Sequence, residues 1–135
     1  MNRRQWKKVA LYGFLTWFVP FMISFFFFGR DGKVLIPIGL MKSIMVVVGA
    51  ATGACFLVLL FRVVAPTKHQ ALAVGMLWLV LNLGLDLLIL VPVSKIGVAD
   101  YFAEIGLRYL LIPIMCVAIG ATAIDKRGGE ARARL

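Results

Sequence analysis

Residues 35–61 read LIPIGLMKSIMVVVGAATGACFLVLLF, 27 residues in which Lys42 is the single charge. As a helix rising 1.5 Å per residue, such a run is about 40 Å long, more than enough to cross a hydrocarbon core of about 30 Å. Lipid offers backbone amides no partner, so a chain that crosses it must be helical or close into a barrel. The run has none of the period-2 alternation of barrel strands, which leaves the helix.

Working outward, three further apolar stretches of the same kind appear at about 9–28, 71–91 and 101–124. The connections between the four are short, at 29–34, 62–70 and 92–100, and short connections make sequential helices antiparallel neighbours. The reading is an all-α membrane protein, a four-transmembrane-helix antiparallel bundle. Composition agrees: 62% of residues are hydrophobic and 16% charged, with a mean hydropathy of +0.97, far from the roughly half apolar and quarter charged of a soluble domain. With 135 residues the chain forms one membrane domain over residues 1–127, followed by a basic tail at 128–135 whose Gly128, Gly129 and Glu130 predict disorder.

Charge sets the orientation. One side receives Arg3, Arg4, Lys7, Lys8, Arg62, Lys68, Lys126, Arg127, Arg132 and Arg134, and the other only Arg30, Lys33 and Lys95. Basic residues stay in the cytoplasm, so both termini are expected there, in the plasma membrane. The basic start before the first apolar run resembles a secretory signal, but the run is long and lacks a small-residue cleavage site, so an uncleaved first helix is expected. The net charge of +9 is on this account mostly topogenic and no sign of nucleic-acid binding. Its tail portion suits the anionic headgroups of the lipid bilayer at the cytoplasmic face.

Ionisable groups inside membrane segments are costly and mark candidate sites. Lys42 follows Pro37 by five residues, near the start of the second helix, with Pro37 in its first turn. Asp86 lies six residues before Pro92 on the third helix, which rises toward the same surface. With Asp100 as N-cap of the fourth helix, Glu104 and Arg108 fall one and two turns down and form an i,i+4 pair. The four charges sum to zero in one outer-leaflet layer. Helical spacing puts Lys42 on one face with Gly49 and Gly53, a GxxxG suited to a close helix crossing, and puts Asn82 one turn from Asp86. Lys42, Asn82, Asp86, Glu104 and Arg108 are the candidate ligand- or ion-binding residues. The two basic side chains reach the interface by snorkelling, whereas Asp86 needs a cation, a proton or water. Two readings stand side by side: a structural ion pair of Asp86 with Lys42 or Arg108, and a transport, conduction or ligand role for the cluster.

Other features are weaker. Ile38-Gly39-Leu40 before Lys42 and Ile105-Gly106-Leu107 before Arg108 hint at a repeat of two hairpins. Pro20 and Pro113 fall inside helices one and four, and Thr16 and Ser24 stand where they would satisfy groups freed by Pro20. Trp6, Tyr12, Tyr101, Tyr109 and Phe25–Phe28 read as interfacial anchors, with Trp17 and Trp78 deeper. Cys55 and Cys116 lie within apolar helices as packing residues, and His69 sits in a cytoplasmic loop. Spacing suited to a metal is missing, no cofactor is implied, and one membrane aspartate without a membrane histidine does not make an acid/base or zinc site, so no enzymatic activity is expected. The function expected is a small transporter or channel-like protein assembled as a homo-oligomer, and because four helices enclose little volume a pore is expected between subunits. The alternative is a non-transporting accessory or scaffold subunit of a larger membrane complex.

Overall fold

The computed structural model describes residues 1–64, 66–95 and 97–132, with side chains described at 1–64, 66–92, 95 and 97–124. Its four helical spans of membrane-crossing length and apolarity are Arg3–Phe27, Ile38–Val63, Lys68–Leu90 and Gly106–Ile124. Among the described residues the extended pairing is limited to an isolated bridge between Phe28 and Val34.

Helix starts lie where side chains can satisfy free amides. Helix α1 (Arg3–Ser24) begins ahead of its apolar run because Asn2 and Gln5 form a capping box, each side chain accepting from the other's backbone N–H at 2.9 Å. Thr67 and Gln70 do the same for α3 (Lys68–Leu85), which brings the exposed His69 into its first turn. Pro37 precedes α2 (Ile38–Val63) as its N-cap, with an extended ψ of 132°, and is not a first-turn residue. The turn between α1 and α2 closes with Gly29 N–H donating to the Lys33 carbonyl at 2.8 Å.

Beyond α3 the helix does not stay regular. Asp86–Leu90 form one wider π turn, closed by Val91 N–H donating to the Asp86 carbonyl, before the short α4 (Val91–Ser94) ends at Lys95 in the left-handed region, φ 54°. The fourth segment departs further from the single helix expected over 101–124. Helix α5 (Val98–Glu104) is preceded by Gly97 as N-cap, not by Asp100; the chain breaks at Ile105 (φ −126°, ψ −50°), winds a tight 3-10 turn over Gly106–Leu110 and continues as α6 (Leu111–Arg132). Pro113 supplies a cause, because its ring crowds the carbonyl four residues back, that of Tyr109, and it has no N–H to donate. Pro113 therefore stands in the first turn of α6, where a missing N–H costs nothing, and not mid-helix as expected. Helix α6 also takes in residues 128–132 of the stretch expected to be disordered, while 133–135 lie outside the described residues.

Helix α1 packs against α2 and α3, and α6 against the same two, so α1 and α6 separate α2 from α3. The shortest connection thus joins helices that are not principal neighbours. One half of the bundle holds a dry core of Val9, Leu57, Leu60, Phe61, Val74, Trp78 and Cys116. The outward stripe of α1, Leu11, Phe14, Phe18 and Met22, is apolar and 39–56% exposed, as lipid contact requires.

Glycine sets the close crossings, but at other positions than expected. A Cβ on Gly75 would lie 2.7 Å from the Cα of Pro113, and one on Gly13 only 2.6 Å from the Trp78 ring. Gly49 faces open space within the chain, and a Cβ on Gly53 would meet Thr16 at an ordinary 3.6 Å. The GxxxG therefore makes no close crossing here. Nor do the two Ile-Gly-Leu triplets share a conformation, since one opens a regular helix and the other spans a break.

Candidate functional site

The bundle also holds a half-open cavity of about 380 Å³ between α1, α2, α3 and the segment leading into α6. Its wall is mostly apolar, and Lys42, Gly49, Gly53, Asn82, Asp86 and Arg108 all line it, so the faces deduced from helical spacing do converge. Glu104 stands outside the wall and reaches Lys42.

Their pairing differs from the sequence expectation. Lys42 Nζ donates to Glu104 Oε2 at 2.5 Å, an ion pair between α2 and α5 whose side chains are 36% and 46% exposed. A pair this exposed is worth about 1 kcal/mol or less. Glu104 cannot form the expected i,i+4 pair with Arg108, because the break at Ile105 lies between them. Arg108 makes no ion pair among the described residues.

Asp86 is 2% exposed and takes neither basic side chain. Trp17 Nε1 donates to its Oδ1 at 2.6 Å, and the hydroxyls of Tyr101 and Tyr109 donate to its Oδ2 at 2.8 and 2.7 Å. Three neutral donors from α1, α5 and the 3-10 turn thus hold one carboxylate of α3. Hydrogen bonds to a charged group contribute about 1.5–3 kcal/mol each, enough to offset much of its desolvation. The two tyrosines reach this oxygen from opposite sides of the break at Ile105.

Sequence reasoning placed both tyrosines at the interface as anchors; Tyr101 is instead fully buried and Tyr109 half-buried. Trp17, read only as a deep contact, is the third holder of Asp86. The available signal was chemical: a deep indole N–H or phenol needs an acceptor, and the membrane segments offer one aspartate. Trp78, fully buried, donates instead to the Val9 carbonyl at 2.8 Å. Thr16 and Ser24 bond the carbonyls of Tyr12 and Phe21, so neither hydroxyl serves the carbonyl that Pro20 leaves free.

Asn82, one turn before Asp86 and 1% exposed, is half satisfied. Its Nδ2 donates to the carbonyls of Trp78 at 2.8 Å and Gly13 at 3.4 Å, while its buried Oδ1 has no donor. Cys116 is buried and Cys55 exposed, and both are free thiols. Among the described residues no cluster of three or more His, Cys, Asp or Glu is placed to hold a metal. No known protein family, curated protein or solved structure matches this chain.

Proposed function

We propose that this chain is a small membrane transport protein of the carrier type, with the cavity beside Asp86 as its solute-binding place. One observation carries the reading: a buried carboxylate on a cavity wall, held by three neutral donors and met by no cationic side chain among the described residues. A residue kept only for packing has cheaper apolar substitutes, since a membrane carboxylate costs several kcal/mol to insert. Its remaining charge attracts a cationic group or a proton entering the cavity. A cavity of about 380 Å³ lined largely by apolar side chains with a few polar groups suits a bound small solute better than an aqueous path, which favours a carrier.

In this reading the protein spans the plasma membrane with both termini inside, as the Lys and Arg bias indicates, and its basic end lies against anionic lipid. Each subunit of a homo-oligomer has its own cavity. The chain makes and breaks no covalent bonds.

The test is flux in liposomes across a panel of small cations, anions, amino acids and protons, with wild type beside Asp86→Asn. Wild type is expected to carry at least one solute class, and the variant to lose that flux or its pH dependence while remaining folded. Folded wild-type protein that carries nothing overturns the proposal and favours the accessory subunit.

A further inference from the structure

Of the four charged residues around the cavity, two cancel each other and two do not. Glu104 neutralises Lys42. Asp86 and Arg108 are then the ionic groups of the wall without an ionic partner among the described residues. Asn82 adds a third unmet group: the two carbonyls bound by its Nδ2 fix the direction of the amide, and its buried Oδ1 is left wanting a donor. What the cavity lacks is therefore chemically specific. It wants N–H donors and a positive charge for Asn82 and Asp86, an anion for Arg108, and an apolar body against walls such as Phe21, Val46 and Met115.

Building on the carrier reading above, we infer that the cavity takes a small zwitterion of amino-acid type with an apolar side chain. Its ammonium meets the Asp86 carboxylate, one turn from the unmet Asn82 Oδ1. Its carboxylate takes two parallel bonds from the planar fork of Arg108, a geometry that guanidinium offers and ammonium does not. A plain amine leaves Arg108 uncompensated, and a plain carboxylic acid leaves Asp86 so. A zwitterion compensates both, and the cavity volume of about 380 Å³ falls within the range of small-molecule sites.

The experiment titrates the full chain in lipid nanodiscs with L-phenylalanine, phenethylamine and hydrocinnamate. These share one apolar body and carry both charges, only the positive one, or only the negative one. Calorimetry gives the affinities, and tryptophan emission reports on the cavity through Trp17 and Trp78. L-phenylalanine is expected to bind at least tenfold more tightly than either analogue, and Arg108→Gln to abolish its preference over phenethylamine. Arg108 is exposed and makes no ion pair, so this variant folds. Asn82→Leu should weaken L-phenylalanine and phenethylamine alike, leaving hydrocinnamate unchanged. Equal binding of phenethylamine, a preference that survives Arg108→Gln, or no binding of L-phenylalanine each overturns the zwitterion. If the same protein then still carries another solute in an Asp86-dependent way, the carrier reading stands without it; if it carries none, both fall.

Discussion

Replacing Asp86 by leucine removes the one acceptor shared by three donors, two on buried side chains and one on the half-buried Tyr109. Trp17 Nε1, Tyr101 Oη and Tyr109 Oη would each lose a partner. An orphaned buried donor costs about 1–3 kcal/mol, so the three together put about 3–9 kcal/mol against the variant. Leucine recovers part of this, about 2–3 kcal/mol, through apolar burial and the absence of a buried charge. The net expectation is a loss of about 0 to 7 kcal/mol, centred near 3 to 4. Asparagine behaves differently. Its oxygen stays opposite the Trp17 N–H, which only donates, while its amide turns to the two tyrosine hydroxyls, which accept as well as donate. Every group then keeps one partner, but the charge assistance is lost, about 1 kcal/mol per bond, and both hydroxyl protons lose their acceptor. Thermal and SDS unfolding in detergent should therefore rank wild type above both Asp86→Asn and Asp86→Leu. Adding Tyr101→Phe and Tyr109→Phe to Asp86→Leu should restore stability, since the orphaned hydroxyls are gone. Wild-type stability in the leucine variant would refute the reasoning, because the carboxylate would then not be what ties α1, α3 and the segment before α6 together.

Two further outcomes follow from the fold and a third from the Lys and Arg bias. Gly75→Val should lower the unfolding midpoint strongly, because its side chain would enter the Pro113 backbone, whereas Gly49→Val should leave the midpoint unchanged; equal effects would contradict the helix crossing. A double-mutant cycle on Lys42→Met and Glu104→Gln should give a coupling of about 1 kcal/mol or less, and a coupling of several kcal/mol would mean that the pair is buried in the membrane-embedded protein. Cysteines placed at His69 and at Lys33 or Lys95 should label from the cytoplasm and from outside respectively, and external labelling of residue 69 would reverse the orientation.

The positions that sequence reasoning located well are those governed by one helix at a time. Helical spacing put Lys42, Gly49, Gly53, Asn82 and Asp86 on inward faces, and all five line the cavity. The fourth segment was misread at one place with many consequences. Pro113, eight residues after Ile105, reads as lying inside a helix but stands in the first turn of one. Moving that boundary breaks the Glu104–Arg108 pair, frees Glu104 for Lys42 and turns Tyr101 and Tyr109 inward.

Hydropathy and charge, summed along the chain, determine that these residues form four apolar helices, because the cost of an unpaired amide or a charge in hydrocarbon is paid segment by segment and needs no neighbour. Which partner each polar side chain finds was decided only in three dimensions. Trp17 reaches Asp86 across 69 residues of sequence, and Tyr101 and Tyr109 reach one of its oxygens from either side of a chain break. Hydrogen bonds act over about 3 Å and depend on direction, so a residue's spacing along its own helix shows the face it occupies and leaves open the atom that meets it there.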